Sequence, residues 1–191
     1  MPAVLKSAVI GTGVISKQHL SFLQKCAKAD LVGVCDLSPA AVNYAVETYG
    51  PSQADGQLEG GSLAIAYTDY AKMLEVARPD VVHILTPPQT HQAIATDCLR
   101  AGAHVICEKP VATTYQAFTD LWQISRECDR YLIEDQNYRF NGPVRAIQAL
   151  IDDGTLGTVQ EVEIRMALDL RSGGRYADEN LPSPIHSMPA G

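Results

Sequence analysis

Short apolar runs alternate with longer amphipathic segments over the first two thirds of the chain. Strands are predicted at 5–11, 30–36, 80–87, 104–110 and 131–140, with a further short strand near 64–68. Helices are predicted at 16–29, 39–50, 69–77, 90–102 and 114–129, and a surface loop at 50–62. Near-continuous apolar strands separated by helices are typical of a parallel sheet that is covered on both faces. The expected fold is therefore α/β, with a doubly wound parallel sheet of the Rossmann type.

The pattern changes after Phe140. Residues 143–154 have helical spacing, whereas apolar residues over 158–170 alternate with a period of about two, which predicts an antiparallel strand with one solvated face. One helix and one strand cannot form a core. We therefore expect residues 134–191 to be the incomplete start of a second, α+β domain for substrate binding and oligomerisation. The Rossmann domain is then residues 1–133, and the chain is expected to be truncated within the second domain.

The charge balance narrows the classes of partner. The chain of 191 residues carries a net charge of −7, and no cluster of lysines and arginines stands out. An acidic surface without a basic stripe disfavours nucleic acid and anionic membranes as partners, and no apolar stretch is long enough to span a bilayer. The cysteines, at positions 26, 35, 98, 107 and 128, include no CxxC pair. Their odd number fits reduced thiols in a cytoplasmic protein without a metal site.

The segment AVIGTGVIS joins the first predicted strand to the first predicted helix. Gly11 and Gly13 supply a G-x-G turn, in which the first glycine permits a tight bend and the second lets a pyrophosphate approach the backbone. The free N–H groups and the positive dipole end of the helix would then face the phosphates. Ser16 stands where a third glycine or an alanine is usual, and serine is small and a good N-cap. The turn therefore predicts a dinucleotide site.

Asp36 follows the second predicted strand and lies 36 − 13 = 23 residues after Gly13. This spacing is close to that of the acidic residue that binds the adenosine ribose in dinucleotide folds. Because a carboxylate repels a 2′-phosphate, Asp36 favours NAD over NADP as the cofactor. The alternative interpretation is a tight turn without a ligand, with an aspartate that caps the helix starting at Pro39.

The later strands also end in polar residues, and ligands of doubly wound sheets bind beyond the carboxyl ends of the strands. Thr86 and Pro87 form a stiff turn, and His91 follows it. Taken alone, His91 fits better as an exposed residue at a helix start. Glu108 and Lys109 end the next strand, where the alternative is an exposed ion pair of little energetic value. A hydride leaves a carbon as its hydroxyl loses a proton, and a lysine at such an edge could stabilise the alkoxide that develops. The last strand ends near Gln136, Asn137 and Arg139.

Seven pieces of the sequence, in order, are AVIGTGVISKQHL, LVGVCD, YTDYAKML, PDVVHILTPPQTH, HVICEKPVA, NYRFNGPV and LIDDGTLGTVQEVEI. Together they resemble the Gfo/Idh/MocA oxidoreductases, the glucose–fructose oxidoreductase and inositol dehydrogenase group, and the EKP tripeptide downstream of TPPxxH is specific in combination. The resemblance implies a dehydrogenase that transfers a hydride between NAD(H) and a hydroxyl carbon of a sugar, polyol or related compound. It also implies a homo-oligomer for the full-length protein.

The resemblance implies roles for individual residues. Lys109 matches the lysine that reaches the reacting hydroxyl or carbonyl, and it is the predicted catalytic residue. Glu108 is similar to a residue that contacts the nicotinamide-side ribose. Thr86, Pro87 and His91 resemble the wall of the nicotinamide pocket, and Gln136 and Asn137 match positions near the carboxamide or the substrate. The residues predicted to bind the cofactor are Gly11, Gly13, Val14, Ile15, Asp36, Thr86, Pro87, His91, Glu108, Lys109 and Gln136.

The family's second domain usually carries a catalytic histidine, with a partner aspartate a few residues before it. His186 lies near the expected place, but among prolines and without that acid, so it is expected to be a loop residue and not the base. Two further hypotheses therefore stay open. One is a non-catalytic, dinucleotide-binding regulatory module, and the other is an enzyme that uses NAD for transient oxidation within a lyase or epimerase reaction.

Overall fold

The computed structural model describes residues 4–50 and 64–165, so the predicted loop at 50–62, except for Gly50, and the tail with His186 lie outside the described residues. The strands are β1 Leu5–Ile10, β2 Ala29–Cys35, β3 Ile65–Tyr67, β4 Val81–Ile84, β5 His104–Glu108 and β6 Leu132–Asp135. The helices are α1 Ser16–Lys25, α2 Pro39–Tyr49, α3 Tyr70–Ala77, α4 Pro88–Arg100, α5 Tyr115–Glu127 and α6 Gly142–Asp152.

All six strands are parallel and form one sheet in the order β3-β2-β1-β4-β5-β6. This is the doubly wound sheet that the sequence predicts, and the prediction is confirmed. The direction of winding reverses between β1 and β4, and ligands of such sheets bind in the crevice at that point. The G-x-G turn follows β1 directly, so the fold brings the predicted dinucleotide turn to this crevice.

Two apolar layers, one on each face of the sheet, hold the helices in place. Ala8 and Ile10 on β1 pack in the layer that contains residues of α3, α4 and α5, whereas Val9 between them packs in the layer that contains residues of α1 and α2. Successive side chains of a strand point to opposite faces, and all three of these are almost fully buried. Burial on both faces explains why the second half of β1, residues 8–10, reads as an unbroken apolar run.

The chain divides into two compact units, Met1–Asp135 and Gln136–Gly191. The first unit runs slightly past the predicted boundary after residue 133, because β6 continues to Asp135. In the second unit, the described residues form a 3₁₀ turn at Asn137–Phe140 and helix α6.

Two predicted strands are wrong in part. The strand predicted at 131–140 stops at Asp135, because β5 ends at Glu108, the register partner of Asp135, and offers no ladder beyond it. The strand predicted at 158–170 is absent over 158–165, and 166–170 lie outside the described residues. A strand requires a neighbour for its backbone hydrogen bonds, and none of the strands in the described part of the chain pairs with this segment.

Helix α1 is shorter than the predicted 16–29. Cys26 already has an extended backbone, and Ala29 begins β2 by pairing with Leu5. All five cysteines are free thiols. Of the helices that the structure describes, none has the length and apolar character needed to cross a membrane.

Candidate cofactor and catalytic site

The first glycine of the turn is required by close packing between two strand ends. Gly11 has a φ of +96°, and a Cβ placed there would lie 2.8 Å from both the carbonyl carbon and the carbonyl oxygen of Leu85. Its N–H donates to the carbonyl oxygen of Cys35 at 2.8 Å. A side chain would therefore collide with the backbone just after β4, in a conformation that already disfavours L-residues.

The second glycine is different, because a Cβ at Gly13 would meet no atom within 4 Å. Both the backbone N–H and the hydroxyl of Ser16 donate to the carbonyl oxygen of Gly13, at 3.1 and 2.7 Å. The helix cap is Ile15, so the suggested N-cap role of Ser16 is wrong; its hydroxyl closes the turn from the first helical position. Gly13 and Val14 are exposed. Gly13 thus leaves open space at the start of α1, where a phosphate can approach the free N–H groups.

Asp36 is tied to the same turn. Its Oδ2 accepts from the N–H and the hydroxyl of Thr12, both at 2.8 Å, and its Oδ1 accepts from the N–H of Ser38 at 2.9 Å. Partial burial alone would raise the pKa of Asp36, but the hydrogen bonds from Ser38 and Thr12 outweigh it and hold the pKa below its usual value. Ser38, not Asp36, is the N-cap of α2, and its hydroxyl accepts from Ala41. The ionised carboxylate faces the G-x-G turn, as a ribose-binding acid would.

His91 is fully buried, with 0% of its surface exposed, so the interpretation as an exposed helix-start residue is wrong. Its Nε2 lies 2.7 Å from the carbonyl oxygen of Thr86, and its Nδ1 lies 2.8 Å from the carbonyl oxygen of Pro110. The ring therefore bridges the loops that follow β4 and β5. Since both nitrogens face protein carbonyl groups, the geometry favours a role in positioning these loops, and direct contact with the cofactor stays a prediction.

The loop after β5 presents Lys109. The side chain of Lys109 is exposed. The backbone N–H of Lys109 donates to Oε2 of Glu108 at 3.1 Å, and the peptide bond between Lys109 and Pro110 is cis. Both side chains are described, and they form no ion pair with each other, so the alternative of an exposed Glu108–Lys109 pair is wrong. The N–H of Val111 donates to Oε1 of Glu134 on β6 at 2.9 Å. Contacts to His91 on α4 and Glu134 on β6 thus hold the peptide between Pro110 and Val111, directly after Lys109.

A polar cluster beside this loop was not predicted from the sequence. Nδ1 of His19 on α1 lies 3.0 Å from Nδ1 of His83 on β4, and Nε2 of His19 lies 3.3 Å from Oδ2 of Asp135. One ring nitrogen of His19 and one carboxylate oxygen each of Glu108 and Asp135 lie within 4.8 Å of one another. The available signal was His83, a polar residue inside the apolar strand VVHI.

Burial controls the charge of the two histidines. It lowers the pKa of His83 to about 4, with a further contribution from His19. Burial also lowers the pKa of His19, and it outweighs the carboxylates of Asp135 and Glu108, which act in the opposite direction. Both rings are therefore neutral at neutral pH. In that state the N–H of His83 donates to His19, whose Nε2–H points to Asp135.

Gln136 and Asn137 come directly after Asp135 and begin the second unit, so they are adjacent in sequence to the end of β6. Their proposed contacts with the cofactor or substrate stay predictions.

A family model described as "Oxidoreductase family, NAD-binding Rossmann fold" matches residues 5–135, which includes the G-x-G turn, Asp36 and the EKP loop. The chain belongs to this Gfo/Idh/MocA family. The resemblance drawn from the sequence motifs is thereby confirmed, and NAD is the cofactor for which the family's Rossmann domain is built.

Individual members of the Gfo/Idh/MocA family are similar over most of this chain. D-glucoside 3-dehydrogenase of Escherichia coli is 30% identical over 89% of the chain, and D-apiose dehydrogenase of Paraburkholderia graminis is 28% identical over 92%. The WlbA dehydrogenase of Bordetella pertussis, crystallised with NADH and UDP-GlcNAcA, is 25% identical over 81% of the chain, with a TM-score of 0.70. The chain covers 44% of the two curated relatives and 42% of the WlbA chain.

Proposed function

We propose that this chain carries the cofactor half of a dehydrogenase that transfers a hydride between NAD(H) and a hydroxyl carbon of a sugar, polyol or related compound. The observation that carries the proposal is Lys109, an exposed cation on a loop anchored at the carboxyl edge of an NAD-binding sheet. The substrate class is supported by the relatives, which are named for D-glucoside and D-apiose dehydrogenation.

The residues of the first unit fit NAD. The open space at Gly13, with Val14 and Ile15 leading into α1, suits the pyrophosphate, because the helix start offers N–H groups and a positive dipole end. Asp36 suits the adenosine ribose, since a carboxylate accepts hydrogen bonds from hydroxyl groups and repels a 2′-phosphate. The nicotinamide half of the cofactor then lies towards β4 and β5, where Thr86 and Pro87 follow β4 and Glu108 ends β5.

Bound NAD supplies the ring that accepts or donates the hydride. In this mechanism the Lys109 ammonium donates a hydrogen bond to the hydroxyl oxygen of the substrate. The hydroxyl proton would pass to a base, for which the histidine that the resemblance places in the second domain is the expected group, so negative charge develops on that oxygen as the carbon loses its hydride. A cation stabilises this charge more strongly in a site from which water is excluded. The bridge from His91 and the contact from Glu134 fix the peptide between Pro110 and Val111, directly after Lys109, which limits the reorganisation that catalysis would require.

Turnover of the full-length protein tests this proposal. We expect NADH formation with at least one member of a panel of polyols and sugars, and a fall in kcat of about 100-fold or more in Lys109→Ala. The affinity for NAD⁺, measured by calorimetry, should change by less than about threefold in the same variant. Lys72→Ala is the matched control, because Lys72 is an exposed lysine on α3 that pairs only with the neighbouring Glu75.

The outcomes separate the alternatives. Unchanged turnover in Lys109→Ala would remove Lys109 from the catalytic site. Tight NAD⁺ binding without turnover on any substrate would favour the non-catalytic module. Size-exclusion chromatography with light scattering on the same full-length sample tests the predicted homo-oligomer.

A further inference from the structure

Two carboxylates end adjacent strands at the edge of the sheet where the cofactor binds. Glu108 is the last residue of β5 and Asp135 the last residue of β6, and the two are register partners in the sheet. Both side chains are half-buried, and an oxygen of each lies within 4.8 Å of the same His19 ring nitrogen. Parallel neighbours that end together thus concentrate negative charge at one point of the crevice.

Little positive charge balances this pair. His19 contacts Asp135 at 3.3 Å, but burial lowers the pKa of His19 and so keeps the ring neutral at neutral pH. The more deeply buried His83 behind it has its pKa lowered to about 4 and adds no charge there either. Within the described ranges, 4–50 and 64–165, neither carboxylate forms an ion pair with a lysine or an arginine. The neighbouring Lys109 extends into solvent.

The position of Glu108 and Asp135 in the sheet places them on the nicotinamide side of the expected cofactor site. A doubly wound sheet binds a dinucleotide across its switch point, with one mononucleotide on each half. Asp36 at the end of β2 marks the adenosine half, so β4, β5 and β6 form the nicotinamide half. The nicotinamide ring is the part of the cofactor whose charge changes on reduction, since it carries one positive charge in NAD⁺ and none in NADH.

We propose that Glu108 and Asp135 make this site select the oxidised cofactor, by attracting the positive ring of NAD⁺ and gaining nothing from the neutral ring of NADH. This inference rests on the proposed NAD-binding function and deepens it. Preference for NAD⁺ promotes release of NADH after each oxidation. Such release suits a dehydrogenase that exchanges its cofactor, and it is unsuited to a lyase or epimerase that must retain NADH for a second hydride transfer.

The size of the effect can be calculated from Coulomb's law. Two unit charges about 6 Å apart, at an effective dielectric constant of about 40 to 80, interact strongly enough to change a dissociation constant about 3- to 10-fold. We therefore expect Glu108→Gln and Asp135→Asn each to lower the ratio Kd(NADH)/Kd(NAD⁺) by about that factor. For a two-electron couple, a tenfold change in this ratio shifts the reduction potential of the bound cofactor by about 30 mV.

The test measures the two dissociation constants separately, by calorimetry for NAD⁺ and by nucleotide fluorescence for NADH, at pH 7.5 and low salt. Glu108→Asp keeps the charge and should retain the wild-type ratio. Glu75→Gln removes one negative charge from α3, where Glu75 pairs with Lys72. This control variant should leave the ratio Kd(NADH)/Kd(NAD⁺) unchanged. Circular dichroism establishes that each variant is folded. If Asp135→Asn does not fold, Glu108→Gln decides alone, because the amide oxygen of glutamine can still accept from the N–H of the next residue.

Failure of the inference differs from failure of the proposed function. If wild type binds neither nucleotide, the NAD-binding function itself is wrong. If wild type binds both, and the ratio stays the same in Glu108→Gln and Asp135→Asn, then the carboxylates do not select the redox state. A proportional loss of both affinities would likewise overturn the inference, since it would indicate a contact to the ribose and not a field at the ring.

Discussion

The carboxylate of Asp36 holds Thr12 by two hydrogen bonds to one oxygen, one from the backbone N–H and one from the hydroxyl. The end of β2 is thereby fastened to the middle of the G-x-G turn. Asp36 thus has two separable properties, a negative charge that a 2′-phosphate would meet and an acceptor that shapes the phosphate-binding turn.

We expect wild-type protein to bind NAD⁺ at least about tenfold more tightly than NADP⁺. Asp36→Asn should narrow this difference, because the amide oxygen can still accept from Thr12 while the charge is lost. Asp36→Ala should also weaken NAD⁺ itself, since the turn loses its partner. Calorimetric titrations with both nucleotides measure these effects, with Asp30→Asn at the start of β2 as the control. Tighter binding of NADP⁺ by wild type would refute the assignment.

Alanine should affect different properties at the two glycines of the turn: stability at Gly11 and NAD⁺ affinity at Gly13. Gly11→Ala is expected to lower the free energy of unfolding by about 2–4 kcal/mol, because its φ is positive and the new Cβ would press on the Leu85 backbone. Gly13→Ala should change stability by less than about 1 kcal/mol, since the Cβ has open space. That same Cβ would occupy the space offered to the pyrophosphate, so NAD⁺ affinity should fall about tenfold or more.

Urea denaturation and NAD⁺ titration of both glycine variants provide the comparison. A stable Gly11→Ala protein would show that the turn can shift away from β4. Unaltered NAD⁺ affinity in Gly13→Ala would place the pyrophosphate elsewhere.

Replacing His91 with leucine should cost about 1–3 kcal/mol of stability, because the ring N–H donates to one of the carbonyl oxygens of Thr86 and Pro110, and leucine would leave that oxygen buried without its donor. His91→Gln should lose less stability than the leucine variant, since the amide nitrogen of glutamine carries two N–H donors. Thermal unfolding followed by circular dichroism measures the difference. Equal losses in the two variants would mean that packing volume, and not hydrogen bonding, accounts for the contribution of His91.

The buried pair His19–His83 predicts a loss of stability in mild acid. Burial holds the pKa of His83 at about 4 in the folded protein, against an ordinary value of 6.5. Between these values the unfolded chain binds a proton that the folded protein does not, so stability falls as the pH falls from 6.5 towards 4. The loss is on the order of 3 kcal/mol by pH 4.

Urea unfolding at pH 7, 6, 5 and about 4 tests this window. His83→Gln removes the titrating ring while its amide can still donate to His19, so its stability should depend less on pH. An identical pH dependence in the variant would assign the loss to other groups, such as His19 or the carboxylates near it.

The pattern of apolar residues was sufficient for the sheet, because segments such as residues 8–10 of β1 and 31–35 of β2 are buried on both faces and read as continuous apolar runs. It failed at the ends of elements that depend on a neighbour. β6 stops where β5 stops, and residues 158–165 lack a strand to pair with in the described part of the chain. Periodicity indicates which face of a helix or strand is buried, but it does not show whether a neighbouring strand is present to form backbone hydrogen bonds.

The candidate site also contains features that the sequence predicts and features that it does not. The G-x-G turn and Asp36 are recognisable because their function depends on local spacing along the chain. The cluster of His19, His83 and Asp135 depends on α1, β4 and β6 meeting in space, and these elements are far apart in sequence. The burial of His91 was also missed, since its two acceptors belong to loops that only the folded sheet brings together.

The anchoring of the Lys109 loop by His91 and Glu134 has a consequence for which changes of sequence can displace the lysine. Both anchors belong to the first unit, so the backbone that presents the lysine is defined without any residue after Asp135. The contribution proposed for Lys109 therefore depends on contacts within the first unit, whereas the expected catalytic histidine would come from the second. Changes of sequence after Asp135 would leave both contacts in place, so a substrate site there could be altered without removing the anchors of the Lys109 loop.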